Sequence, residues 1–139
     1  MGVEPFLVAS TVEGVMSQRL VRRLCTHCKQ KYEPAQDEVP LDFPWDRKKG
    51  PIYKPVGCRE CRNTGYRGRM GIYELMVTTN DIRQMAHDRV SSWKIMQESM
   101  KNGMRSLRQD AWCKVLDGRT SVEEVTRNAK ADSNLLLKK

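Results

Sequence analysis

Four cysteines fall into two tight pairs, Cys25-Thr-His-Cys28 and Cys58-Arg-Glu-Cys61, separated by the 29 residues from 29 to 57. Two CxxC knuckles at such a separation are the pattern of a tetrathiolate zinc site, in which each turn presents two sulfurs to one tetrahedral ion. A redox CxxC is the rival reading, but redox motifs come singly and in a thioredoxin-type context. Four thiolates close the coordination shell and leave no position for a catalytic water, so the Zn2+ expected at Cys25, Cys28, Cys58 and Cys61 is structural. His27 lies between two ligands and could compete, but four cysteines already complete the set. The fifth cysteine, Cys113, sits in a helical run beside Trp112 and reads as an inert thiol that packs as a small hydrophobe.

Other chemistry is missing. There is no Walker-type loop, no arguable Ser-His-Asp set and no carboxylate cluster at metal-binding spacing. Gly65, Gly68 and Gly71 suggest a phosphate loop, but no Gly-Lys-Ser/Thr follows and the order is loop then strand. His87 reads as a helix-surface residue. Taken alone, the chain is not expected to catalyse a reaction.

With 139 residues, 39% hydrophobic and 30% charged, the chain has the composition of a soluble globular protein. Its sequence contains neither a membrane-length apolar run nor a signal peptide, and five cysteines in a chain expected to be cytosolic favour metal or buried thiols over disulfides. The net charge is +8, and residues 46–69 carry eight Lys/Arg against two acids. Such a stretch can bind nucleic acid, anionic lipid or phosphate. Locally, Lys29, Arg59 and Arg62 flank the cysteines and would offset the formal negative charge of a zinc tetrathiolate.

The elements that must position the cysteines are legible in part. Pro5 suits the first turn of a short helix over Pro5 to Ser10. The apolar spacing from Val12 to Leu24 admits a helix but leans to a strand over Val15 to Arg23. Residues 33 to 57 hold five of the six prolines. They read as an irregular excursion filled by Phe43, Trp45 and Tyr53 and made tenable by the metal. Ile72 to Val77 reads as a strand. Four short helices follow, capped in turn by Thr79 or Asn80, by Ser91 or Ser92, by Ser106, and by Thr120 with Glu123 in a capping box. Ile82, Met85 and Ala86 share one inward face. So do Trp93, Met96 and Met100, then Leu107, Ala111 and Val115, and finally Val122 and Val125. The fold class is α+β.

The ordered string is more specific than any single part. Met1-Gly-Val-Glu-Pro-Phe-Leu-Val-Ala-Ser10, Gln18-Arg-Leu-Val-Arg22 leading into the first knuckle, and Gly57 ahead of the second resemble the type II secretion and type IV pilus extension ATPases. Gly65-Tyr-Arg-Gly-Arg69, Gly71-Ile-Tyr-Glu-Leu75, Leu107-Arg-Gln-Asp110, Gly118 and Glu123-Glu-Val125 continue that resemblance over roughly residues 1 to 130.

The resemblance implies the C-terminal portion of a hexameric, RecA-like traffic ATPase. Residues 1–24 would finish the core, 25–68 form the zinc-binding insertion, 69–78 a returning core strand, and 79–130 a C-terminal helical bundle, with 131–139 a frayed tail. ATP and Mg2+ would belong only to the parent protein, whose nucleotide-binding motifs lie upstream of such a segment. The implied partners are the rest of the ATPase, its hexamer neighbours and an inner-membrane platform or adaptor, at a cytoplasmic, membrane-peripheral location. The tetracysteine element favours a secretion or extension motor over a retraction motor, with a slight lean to type II secretion or general pilus assembly. A stand-alone zinc-ribbon module that binds nucleic acid, and an adaptor, are the competing readings; nucleic acid is the less expected partner.

Overall fold

The computed structural model describes residues 2–35 and 37–129, so the tail read as frayed lies outside the described residues. Helix α1 (Pro5–Thr11) precedes strand β1 (Gly14–Leu24). Strands β2 (Gln30–Tyr32), β3 (Ile52–Lys54) and β4 (Tyr66–Val77) follow, then helices α2 (Asn80–His87), α3 (Ser92–Lys101), α4 (Leu107–Leu116) and α5 (Val122–Asn128). The architecture is α+β, as expected. β1 pairs with β4, and β2 pairs antiparallel with β3, Lys31 opposite Tyr53. The strand read over Val15 to Arg23 is present and one residue longer at each end. β4 starts well before Ile72, because its glycines at 68 and 71 are carried within the strand.

The chain divides into two compact units. One comprises the residues up to Ser17 with Glu74–Ser106. Here Pro5 opens α1 at its first turn, where a missing N–H costs nothing. Thr79 caps α2 by accepting from the Ile82 N–H. Arg83 on α2 donates to the Ala9 carbonyl at 2.7 Å and pairs with Glu13 at 2.8 Å, which ties the two helices together. Ile82 and Ala9 are buried, with Met85 and Ala86 half-buried beside Ile82 on the face expected for them, and His87 is on the surface. The core position expected for Trp93 is not found: its side chain is 44% exposed. α3 turns Ser99 inward, flanked by half-buried Ile95 and Met96, and helical geometry places Trp93 about a third of a turn from Ser99. Phe6, Leu7, Val8, Val15, Met16, Leu75 and Val77 are also exposed.

The other unit comprises Gln18–Tyr73 and the chain from Leu107 on. Its core draws Val21 from β1, Met70 and Ile72 from β4, and Ala111, Trp112 and Val115 from α4. Val122 and Val125 come from α5, and Phe43 and Ile52 come from the proline-rich excursion. The Phe43 and Trp112 rings pack with centroids 4.8 Å apart. The excursion therefore lends apolar surface to the common core. Its filling is Phe43 and Ile52, with Trp45 and Tyr53 only half-buried. Trp45 keeps its indole N–H at the periphery, donating to the Gly50 carbonyl at 3.0 Å.

The expected capping box at Thr120 is displaced by one residue. Ser121 is the cap and accepts from the Glu124 N–H, whereas the Thr120 hydroxyl donates to the Arg22 carbonyl at 2.9 Å. Glu124, 3% exposed, receives both the main-chain N–H and the guanidinium of Arg22 at 2.9 and 2.8 Å. A second pair, shielded on both sides, joins Arg108 on α4 to Asp42. The same carboxylate accepts the Trp112 indole N–H at 2.9 Å, and Arg108 also donates to the Ala129 carbonyl at 2.6 Å.

Burial pushes both carboxyl groups up, but the hydrogen bonds from Arg108 and Trp112, and from Arg22, outweigh it and hold Asp42 and Glu124 below their ordinary values. A folded-state pKa below the unfolded one gives stability that is present above the unfolded value and lost as pH falls through the folded value. Stability against urea is therefore expected to be flat near neutrality and to fall once the pH drops below the ordinary Asp and Glu values of 3.8 and 4.5. Urea titrations at stepwise lower pH check this, and a midpoint that holds steady well below pH 4 would contradict it.

Candidate metal centre

The first knuckle follows directly from the end of β1. The Cys25 N–H donates to the Gly65 carbonyl at 2.9 Å, and the turn closes when the Lys29 N–H reaches the Cys25 carbonyl at 2.9 Å. The second knuckle wraps a 3-10 turn over Arg59–Cys61 and leaves it through two consecutive left-handed residues, Arg62 and Asn63, at φ 53° and 60°. The Asn63 N–H then returns to the Cys58 carbonyl at 2.8 Å. Glycine is required on either side. Gly57 has φ 118° and a Cβ there would meet the Asn63 carbonyl oxygen at 2.9 Å; Gly65 has φ 76° and a Cβ there would lie 2.4 Å from Pro55 Cβ.

These turns bring together all four cysteines singled out by spacing. Their sulfurs lie within 4.8 Å of one another. Cys25 to Cys58 is 3.9 Å, Cys28 to Cys61 is 3.8 Å and Cys58 to Cys61 is 3.7 Å. Tetrahedral zinc with bonds of about 2.3 Å separates its sulfurs by about 3.8 Å, so the donor set fits that ion in type, number and spacing. The thiols are free rather than disulfide-linked. Cys25 and Cys61 are buried; Cys28 and Cys58 are half-buried. The four residues can hold a metal ion. His27 is exposed and stands outside this set, and Cys113 is half-buried on α4.

The electrostatics of the site come from the main chain. Gly57 donates its N–H to Cys28 Sγ at 3.3 Å, and Cys58 and Gly65 donate theirs to Cys61 Sγ at 3.2 Å each. Burial opposes ionisation of Cys61, but these N–H groups prevail and hold its thiol down at about 6. At Cys28 burial prevails over the single Gly57 donor and pushes the thiol up to about 11. The main-chain N–H donors thus favour the thiolate form of Cys61, the form of cysteine that ligates a metal. Of the side chains expected to offset a charged cluster, Arg59 and Arg62 are exposed. Lys29 turns to other partners: its ammonium donates to the Gly118 carbonyl at 2.8 Å and lies 4.3 Å from the centre of the Tyr53 ring. The sulfur-directed N–H donors had only one signal in the sequence, the glycines that bracket the second knuckle.

Residues 1–127 match the family described as type II/IV secretion system protein. The chain belongs to that family. Among curated relatives of this secretion family, it is 38% identical over 135 residues to the type IV pilus assembly ATPase PilB of Myxococcus xanthus, covering 95% of this chain and 24% of the relative. It is 40% identical over 132 residues to the type II secretion system ATPase E of Vibrio cholerae, covering 94% and 26%. It is 41% identical over 127 residues to the PilB of Thermus thermophilus, covering 90% and 14%. The chain therefore spans about a quarter or less of the secretion and pilus ATPases it matches. Among the described residues no helix is long and apolar enough to cross a membrane.

Proposed function

We propose that this chain is the C-terminal, zinc-binding region of a hexameric secretion or pilus-assembly motor ATPase, and that its part in the motor is structural and force-relaying. Cys25, Cys28, Cys58 and Cys61 hold Zn2+, which supplies a cross-link rather than a reaction because four thiolates close its shell. ATP and Mg2+ belong to the parent motor, whose Walker motifs are not in this sequence. In this reading residues 1–24 and 69–78 finish a RecA-like sheet, 25–68 form the metal insertion and 79–130 the helical end. The motor works in the cytoplasm against an inner-membrane platform or adaptor, with the remainder of the ATPase and its hexamer neighbours as immediate partners.

The observation that carries this reading is the convergence of the four sulfurs at tetrahedral spacing in a chain of the secretion family. The exposed apolar side chains on α1, β1 and β4 support it as well. β1 and β4 pair only with each other among the described residues, and neighbouring strands of a larger sheet would cover Val15, Met16, Leu75 and Val77.

The test has two parts. Protein purified without chelator is expected to carry close to one zinc per chain, and metal content near zero with reactive thiols overturns the metal assignment. The isolated chain is expected to show no ATP hydrolysis, and turnover by it would overturn the placement of the nucleotide site in the rest of the motor.

A further inference from the structure

The turn that joins α4 to α5 closes onto α4 through the N–H groups of Gly118, Arg119 and Thr120, and residues that border the two knuckles hold its outward-facing carbonyls and hydroxyls. Lys29, immediately after Cys28, donates to the Gly118 carbonyl. Leu24, immediately before Cys25, donates its N–H to the Arg119 carbonyl at 2.9 Å. The Arg22 carbonyl accepts from the Thr120 hydroxyl, and the Arg22 guanidinium, 4.1 Å from the centre of the Tyr66 ring, holds Glu124. Tyr66, next to Gly65, hydrogen-bonds the Ser121 hydroxyl at 2.7 Å. The turn itself is shaped to receive these contacts. Gly118 is left-handed at φ 67°, and a Cβ there would meet the Tyr53 ring at 2.6 Å. Gly118, Thr120 and Ser121 are buried although the turn lies between two short helices.

We infer that this arrangement is a latch: occupancy of the tetracysteine site is transmitted to the Gly118–Ser121 turn, and so to the seating of α5, with Lys29 as the positioning residue. The inference rests on the zinc assignment proposed above. The physical reason is that Cys25 and Cys28 set the orientation of Leu24 and Lys29, while Gly65 binds the first knuckle through the Cys25 N–H and the second through Cys61 Sγ. A metal that fixes the four sulfurs fixes both borders at once. Removing it frees the donors that grip the turn, and a buried turn that loses its partners must open to find water. Lys29 distinguishes a latch from a general staple, since its ammonium acts on the turn and not on the sulfurs.

Lys29→Met keeps the aliphatic stem against Tyr53 and removes the donor. In the zinc-loaded full chain this variant is expected to retain one zinc per chain while amide hydrogen exchange across Gly118–Ser121 and α5 speeds up about tenfold or more, the scale of losing a charge-assisted hydrogen bond. The amides of α4 should stay protected. Chelation of the unmodified chain should accelerate exchange in the same turn. Unchanged exchange in the turn, either in Lys29→Met or after chelation, overturns the latch, as does an equal rise throughout α4 in zinc-loaded Lys29→Met. A chain that binds no zinc at all would refute the metal assignment and the latch together, and the stoichiometry separates that result from failure of the latch alone.

Discussion

Replacing Cys61 with serine is expected to abolish the cooperative fold of the unit that contains the cysteines. A structural zinc in a tetrathiolate site contributes on the order of 10–16 kcal/mol of apparent binding free energy at neutral pH. A whole domain retains only about 5–15 kcal/mol of net stability. Serine offers a poor ligand at this position, and the Cys58 and Gly65 N–H groups that now point at Cys61 Sγ lose their thiolate acceptor. Phe43 and Ile52, which reach the core from between the knuckles, would have no closed loop to hold them there. Cys113→Ser is the control, because its sulfur stands outside the metal set, and it should leave metal content unchanged. Metal analysis with near-UV circular dichroism decides the matter. A Cys61→Ser protein with a full zinc complement and an intact thermal transition would defeat the expectation.

The second large effect is expected at Asp42. Arg108 is 5% exposed and draws on this carboxylate, as does the Trp112 indole N–H. Asp42→Ala leaves a guanidinium buried beside an empty acceptor position, and breaking a buried pair from one side costs about 3–5 kcal/mol. In a unit of this size that corresponds to a fall of more than about 10 °C in the melting midpoint. Replacing both partners with apolar residues, Asp42→Leu with Arg108→Met, should recover much of the loss, since the desolvated charge leaves together with its partner. Chemical denaturation of the four members of this cycle measures the coupling. A cost below about 1 kcal/mol for Asp42→Ala would show that the pair is solvated in practice.

What the sequence disclosed, and what it withheld, follows from the range of each interaction. The clustering of the four cysteines was legible because knuckle spacing is a local signal with one strong chemical use. Strand β1 was only weakly legible, since its first seven residues are exposed and lack the alternation that burial of one face would impose. Thr120 and Ser121 are equally good caps by type; the choice fell to Ser121 because the Arg22 carbonyl, 98 residues away, took the Thr120 hydroxyl. The Arg108–Asp42 pair spans 66 residues and leaves no periodic trace. Trp93 was misplaced for a related reason: helical spacing shows which residues share a face, but not which face a neighbour covers.

The separations along the chain also set an order of assembly. The knuckles close a span of 33 residues between Cys25 and Cys58, whereas Arg22 must wait for Glu124, 102 residues on. Closing the longer loop costs only about 1 kcal/mol more in chain entropy, but it needs a segment that emerges from the ribosome much later. On the zinc assignment proposed above, metal capture can precede synthesis of α4 and α5, so a nascent chain would carry a preformed anchorage onto which those two helices condense. In zinc-starved cells the defect would begin during translation, with those helices emerging before there is anything for them to grip.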